Sequence, residues 1–460
     1  MQITLEALRA IVGPAHVLTG DDVRSRRVDW MTGAPCLAGA IVRPASTQAL
    51  AEVMRACHEV RQPVVTHGGL TGLVHGADAS EEELVISLER MTAIEEIDHV
   101  GGTLTVQAGA PLQRVQEAAS DAGLQFPLDL GARGSCTIGG NIATNAGGVR
   151  VIRYGMMRQQ VLGLEAVMAD GRIVSSMNRM LKNNAGFDLK QLFIGSEGTL
   201  GIVTRAVLRL QPPTPSEQTA LVACPSFEAL TALLRHMGKA LGGSLGAFEV
   251  MWQNHYRLLT ETSGRHTPPI ATSHPFYVII ESLGSDAERN TTQFREALES
   301  ALENELIVDA VLAQSAAQRD GLWAIREDIE GLVKAMTPVL TFDVSLPIAD
   351  MQRYTDALEH QLTQHWPDAR LVVFGHLGDG NLHISVCVGS HELAVRREVE
   401  TLVYQPLAAL GGSVSAEHGI GLEKRPWLET CRSAEEVALM HTLKQALDPH
   451  KLLNRGKILR

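Results

Sequence analysis

Aromatic side chains make up only 4% of the 460 residues, and no uncharged apolar run reaches the ~20 residues that a membrane-spanning helix needs. The opening stretch, MQITLEALRAIVGPAHV, has no basic segment ahead of an apolar one, so a secretory leader is not expected. Basic residues are also in deficit. A formal net charge of −12 with few aromatics offers neither the basic stripe nor the stacking platforms of a nucleic-acid surface, and no nucleic-acid partner is expected. The six cysteines (Cys36, Cys57, Cys136, Cys224, Cys387, Cys431) never fall into a C-x-x-C pair. That spacing suggests neither a disulfide framework nor a cysteine zinc cluster, and fits a reducing, cytoplasmic setting. What remains is a chain 45% apolar, long enough for two or three domains with their own cores, and suited to small-molecule chemistry.

The first half alternates strands and helices. STQALAEVMRACHEV starts at Ser46 as a helix N-cap and repeats apolar residues at Leu50, Val53, Met54, Cys57 and Val60, the stripe of a helix lying on a sheet. PVVTHGG, LVISL and TLTVQAG read as strands, and Pro111 sits where a first-turn proline opens the next helix. LGLEAVMADGRIV reads as a hairpin turning at Asp170-Gly171. The proline-rich QPPTPSEQ, residues 211–218, marks a boundary. Beyond it the segments follow a β-α-β-β-α-β order, the split βαβ of ferredoxin-like domains. A helix near 315–335 and the strand TFDVSLP come next.

Glycine supplies the densest chemical signal. DLGARGSCTIGGNIATNAGGV, residues 129–149, interleaves six glycines with Ser135, Thr137, Asn141, Thr144 and Asn145, a chain that can approach a phosphate or a flat polar ring closely. THGGLTGLVHG at 66–76 is a second such loop, and IGSEGTLGIVT at 194–204 follows. None of them is a Walker A sequence, and G-x-G-x-x-G opening a helix is missing, so a nicotinamide acceptor is disfavoured. In the second half, FGHLGDGNLHISVCV places His376 and His383 around a glycine turn, and Glu417 in SAEHGIG offers a carboxylate. From spacing alone, a structural pair of half-buried histidines is the better reading, because no H-x-x-x-H or H-E-x-x-H pattern fixes them on one face.

Six motifs in order, PVVTHGGLTGL, GSCTIGGNIATNAGG, YGMMRQQVLGLEAVMADG, DLKQLFIGSEGTLGIVT, GHLGDGNLH and SAEHGIG, carry a resemblance. They resemble the FAD flavoproteins of the vanillyl-alcohol oxidase superfamily, in the branch of D-2-hydroxyglutarate dehydrogenase, D-lactate dehydrogenase and the glycolate oxidase FAD subunit. The resemblance implies an α+β fold, with a two-part FAD-binding domain over residues 1–212 and a ferredoxin-like cap with the substrate and metal sites over 213–430. A C-terminal helical segment, 431–460, would return to the FAD domain. Gly68, Gly69, Leu70, Thr71 and Gly72 would hold the FAD pyrophosphate. Ser135, Gly139, Gly140, Asn141, Ala143, Thr144, Gly148, Ile202 and Asn454 would line the rest. Covalent relatives use a histidine late in the first loop; Leu70 and Thr71 stand there, and His67 and His75 are assigned to loop packing, so the FAD is expected to be non-covalent.

The resemblance also reverses the reading of the histidine pair. It implies a divalent metal, usually read as zinc, on His376, His383 and Glu417, with open positions for a substrate hydroxyl and carboxylate. His418 is then the general base and Arg326, in LWAIREDIE, the fork for the substrate carboxylate. The implied activity is oxidation of a D-2-hydroxy acid to the 2-oxo acid, with electrons passed to a flavoprotein or quinone acceptor and a homodimer as the expected assembly. Glu330 and Thr341 replace a threonine and a lysine of hydroxyglutarate-oxidising relatives, and Ser385 replaces an asparagine, which favours a monocarboxylate or an uncommon hydroxy acid over a dicarboxylate. Arg455 replaces a proline beside Asn454. Two other classes remain open at this point: a metal-dependent hydrolase, which would leave the glycine loops idle, and a non-catalytic flavin-binding electron-transfer subunit, which would leave the metal triad idle.

Overall fold

The computed structural model of the chain describes residues 1–29 and 32–460. It forms two compact units: the first takes residues 1–148, 154–213 and 417–460, the second residues 149–153 and 214–416.

The first unit contains two sheets. One runs β1 (Val17–Leu18), β2 (Ala40–Val42), β4 (Leu84–Ser87), β3 (Val64–His67), with β2, β4 and β3 parallel. Between β2 and β3 lies the helix Thr47–Glu59, started by Ser46, whose Oγ accepts from Ala49 N at 3.1 Å. Leu50, Val53, Met54 and Cys57 are buried as their spacing predicts. Val60 is 41% exposed instead, because the helix stops one residue before it. The other sheet is antiparallel in the order β5 (Ile94–Asp98), β6 (Thr103–Gln107), β9 (Ile202–Arg209), β7 (Val161–Val167), β8 (Ile173–Ser176), and β7–β8 is the hairpin read from Asp170-Gly171. Pro111 is the N-cap of the helix Leu112–Asp121 rather than part of its first turn. One core cluster joins these elements, from Leu8 and Leu50 through Leu104 and Ile138 to Leu208 and Leu453. Each such side chain contributes roughly 1.5–3 kcal/mol on burial.

The second unit is built on a seven-stranded antiparallel sheet, ordered β13 (Asp309–Leu312), β10 (Ser216–Cys224), β12 (Phe276–Gly284), β11 (Leu245–Trp252), β15 (Arg370–His376), β16 (Asn381–Cys387), β14 (Leu340–Ser345). Its first four strands, with helices Phe227–Leu241 and Ala287–Glu303 between them, have the order of a ferredoxin-like domain, and the hairpin β15–β16 and strand β14 extend the sheet. Tyr256 and Tyr277 stack at 3.8 Å in a core that also holds Met251, Ile279, Ile325 and Phe374. The helix expected near 315–335 is two helices, Ala316–Glu327 and Ile329–Met336. Asp328 breaks it because its carboxylate caps the second helix, accepting from Gly331 N at 2.9 Å, while Arg265 and His266 bind the same group. All six cysteines are free, five of them buried.

Candidate active site

Strand β3 delivers the chain to the first glycine loop, and the second loop packs directly on it. A Cβ on Gly69 would lie 2.1 Å from Ser135 O, and one on Gly68 would lie 2.7 Å from Thr137 Oγ1. Only glycine allows that approach. Behind them, Gly139 abuts Ala108 and Gly148 abuts Asp129 O, where Cβ atoms would come within 2.8 and 1.9 Å. Gly72, by contrast, faces open space, Ser135 is exposed, and Leu70, Thr71, Gly140, Ala143 and Thr144 are half-buried. Asn141 is buried with its Nδ2 unpartnered, as is Thr66 Oγ1 at the end of β3. Ile202 opens β9 fully buried. Closely apposed backbone with unpartnered polar atoms fits a cofactor that is gripped through main chain and small donors, as FAD is.

Backbone strain collects in the same place. Leu70 (φ 57°), Asn145 (φ 50°), Glu197 (φ 50°) and Asn454 (φ 42°) are all left-handed without being glycine, a pattern that goes with functional loops. Asn454 has a definite duty: its Oδ1 accepts from Thr66 N at 2.9 Å and its Nδ2 donates to Glu197 O. Its amide therefore shapes both loops. The neighbouring imidazoles are occupied by protein. His67 is wholly buried, with Nε2 2.8 Å from Ala77 O, and burial lowers its pKa to about 4. His75 pairs with Asp78 at 3.2 Å, and that hydrogen bond raises its pKa.

In the second unit, Gly380 (φ 84°) closes the turn between β15 and β16, bringing His376 and His383 to a ring-centroid distance of 5.1 Å. Register then supplies what the sequence alone does not reveal. Glu249 on β11 lies opposite His376, with Oε1 2.8 Å from Nδ1, and Asp343 on β14 lies opposite His383, with Oδ1 3.9 Å from Nδ1. The Glu249 contact is the arrangement that orients a metal-binding histidine with Nε2 as the donor, whereas Asp343 is a buried charge beside His383 whose Oδ1 accepts from Asn381 Nδ2 at 2.7 Å. This donor set fits a divalent metal.

Arg326 is 5% exposed and stacks over the Phe374 ring at 4.5 Å, the same ring that His383 meets at 5.0 Å. Its Nη2 lies 2.9 Å from Glu249 Oε2, an ion pair without hydrogen-bond geometry, so Nε and Nη2 are buried donors with no hydrogen-bond acceptor. Such donors call for a ligand carboxylate. Thr341 and Ser385 are register partners two pairs beyond Asp343 and His383, and Glu330 is exposed on its helix.

Ser413 pairs with Ser345 on β14, and Ser415 Oγ lies 3.5 Å from Asp343 Oδ2; Glu417 follows two residues later as the chain enters the first unit. There Glu197 accepts from Ile420 N at 2.7 Å and Gly421 N at 2.8 Å, fixing the segment just after His418. Burial pushes the Glu197 carboxyl up, against those two bonds. Glu197, Glu249 and Asp343 were not singled out by sequence reasoning. The available signal was an acid set in an otherwise apolar run, as in GAFEVM and TFDVSL.

A family model described as "FAD binding domain" matches residues 38–176, and one described as "FAD linked oxidases, C-terminal domain" matches residues 214–458. The chain belongs to the FAD-linked oxidases. It is 41% identical over 463 aligned positions to a D-2-hydroxyglutarate dehydrogenase of Xanthomonas citri pv. viticola, covering 100% of this chain and 96% of the relative. It is 39% identical to the protein of that name, labelled mitochondrial, from Bos taurus, covering 99% and 83%. Among solved structures it is similar to p-cresol methylhydroxylase (TM-score 0.77, 14% identity, 98% and 95% coverage) and to alkyldihydroxyacetonephosphate synthase (0.75, 17%, 98% and 85%). These two share the vanillyl-alcohol oxidase fold expected from the motifs. Among the described residues, no helix is long and apolar enough to cross a membrane.

Proposed function

We propose that the chain is an FAD-dependent dehydrogenase that oxidises a D-2-hydroxy acid to the 2-oxo acid with help from a divalent metal, zinc by the character of its donors. The observation that carries this reading is the buried Arg326 guanidinium, whose Nε and Nη2 have no hydrogen-bond acceptor, on the same aromatic ring as the His383 imidazole. A 2-hydroxy acid offers what each needs: a carboxylate for the fork and a hydroxyl for the metal.

The loops of Gly68 to Gly72 and Ser135 to Gly148 would hold the FAD, and His376, His383 and Glu417 would hold the metal. When bound, these groups supply a two-electron acceptor and a Lewis acid. Arg326 binds and orients the substrate carboxylate through a bidentate fork. Glu249 holds the imidazole of His376 in one tautomer through Nδ1, and Asp343 places a buried negative charge opposite His383. His418 takes the hydroxyl proton, a task suited to an imidazole near neutral pH. The relatives carry the name D-2-hydroxyglutarate dehydrogenase, yet Glu330, Thr341 and Ser385 stand where the resemblance to hydroxyglutarate-oxidising relatives implies a threonine, a lysine and an asparagine, so the lysine suited to a distal carboxylate is missing. A monocarboxylic 2-hydroxy acid therefore fits better. Electrons would leave to a flavoprotein or quinone.

The test is a panel of D- and L-2-hydroxy acids, D-2-hydroxyglutarate and D-lactate included, assayed with an artificial electron-accepting dye. Turnover confined to D-enantiomers is expected. Failure to reduce bound flavin with any 2-hydroxy acid would overturn the reading.

A further inference from the structure

Glu249 is 1% exposed and sits mid-strand among Phe248, Val250 and Met251, where a carboxylate is costly unless it is fully employed. It is employed at both oxygens. Oε1 takes the His376 Nδ1 side at 2.8 Å, and Oε2 lies 2.9 Å from Arg326 Nη2. These partners come from different parts of the chain, one from strand β15 and one from the helix Ala316–Glu327. One buried carboxylate therefore bridges the imidazole assigned to the metal and the guanidinium assigned to the substrate carboxylate.

We propose that Glu249 is a positioning residue that sets the metal affinity of His376 and the carboxylate affinity of Arg326 together. The inference rests on the proposed metal and substrate sites and deepens them. Two consequences follow from the geometry. The hydrogen bond at Nδ1 fixes the ring orientation of His376 and makes Nε2 a stronger donor. The ion pair at Oε2, lacking hydrogen-bond alignment, holds the guanidinium in place while leaving its Nη2 and Nε donors for a ligand. Loss of the Glu249 charge would release both at once.

The same sheet offers a matched comparison. Glu281 on β12 is also 1% exposed and also holds a guanidinium, accepting from Arg150 Nε at 2.9 Å and Nη2 at 3.2 Å. If Glu249 were merely structural, Glu249→Gln and Glu281→Gln would behave alike.

The experiment uses the full-length protein with FAD. Metal affinity is measured by zinc competition against a chromogenic chelator. Carboxylate affinity is measured by titrating a 2-oxo acid and following the flavin spectrum, with melting temperature recorded for each variant. Glu249→Gln is expected to weaken zinc binding about 10- to 100-fold, in line with other carboxylates behind metal-bound histidines, and to weaken 2-oxo acid binding in parallel. Glu281→Gln is expected to lower the melting temperature and leave both affinities unchanged. Glu249→Asp keeps the charge but withdraws it, and serves if the glutamine variant does not fold; it should weaken zinc binding at least severalfold. Zinc and 2-oxo acid affinities within twofold of wild type in either folded variant would overturn the proposal. If the wild-type protein binds no zinc, the proposed metal site itself fails, and Glu249 is judged by 2-oxo acid affinity alone.

Discussion

Asn454 Oδ1 accepts the backbone N–H of Thr66 at 2.9 Å, tying residues 388 positions apart. Through Nδ2 the same side chain reaches Glu197 O, so one amide holds the end of β3 and the turn of IGSEGTLG. Asn454→Ala should lower stability by about 1–3 kcal/mol, the range for part-buried bonds lost together. It should also speed loss of FAD during gel filtration, read from the flavin-to-protein absorbance ratio. Unchanged cofactor retention would separate this clamp from the cofactor loops.

The FAD should come away without breaking a covalent bond. His67 is buried and bonded, His75 is paired with Asp78, and Leu70 and Thr71 have no attachment chemistry. Denaturation followed by filtration should pass all the flavin. Colour retained on the unfolded chain would contradict this.

Proton transfer and metal binding should separate by mutation. His418→Asn is expected to cut turnover by about 10² to 10⁴, the usual contribution of a general base, with metal content intact. His383→Ala should lose metal and turnover together, since only three protein side chains are assigned to the ion. Paired metal analysis and steady-state rates check both. A His418→Asn enzyme with a wild-type rate and pH profile would move proton abstraction to another group.

Arg326→Lys keeps a positive charge but replaces the planar fork with a point charge. Charge-assisted bonds of about 1.5–3 kcal/mol predict a fall in kcat/KM of roughly 10- to 100-fold, carried mainly by KM. An unchanged KM would remove Arg326 from substrate binding.

The second unit should be sensitive to acid through His255. Burial, reinforced by the nearby Arg326 charge, lowers its pKa from 6.5 to about 3, and neither ring nitrogen has a hydrogen-bond partner. Above pH 6.5 folded and unfolded forms are both neutral here. Between about 6.5 and about 3 the unfolded chain binds a proton that the folded chain does not, so stability falls as pH falls, by up to ~1.4 kcal/mol per pH unit. Urea midpoints measured across this range should fall less steeply for His255→Leu than for wild type. Parallel curves would show that His255 does not titrate in the unfolding reaction.

The glycine loops, the hairpin of His376 and His383, and the split βαβ order were legible because each is signalled locally, by turn chemistry or by alternating apolar residues. Glu249 and Asp343 were not. Their meaning depends on which strand lies beside β15 and β16 and in what register, and those pairings join residues up to 127 positions apart. The break at Asp328 was likewise hidden, since apolar spacing continues across it while Arg265 and His266, far back in the chain, stabilise the capping carboxylate. Arg326 illustrates the limit from the other side. Family likeness pointed to it, but its unpartnered donors emerge only from packing.

Strand β3 lies at the edge of its sheet, and its outer side is closed by residues near the end of the chain: Val64 N donates to Leu452 O, and Asn454 N donates to Val64 O. A ribosome makes Val64 long before Leu452. Throughout the interval the nascent chain holds an unpaired strand edge, the kind of template on which neighbouring chains aggregate. Expression yield should thus depend on chaperones that shield β3 until Leu452 and Asn454 emerge.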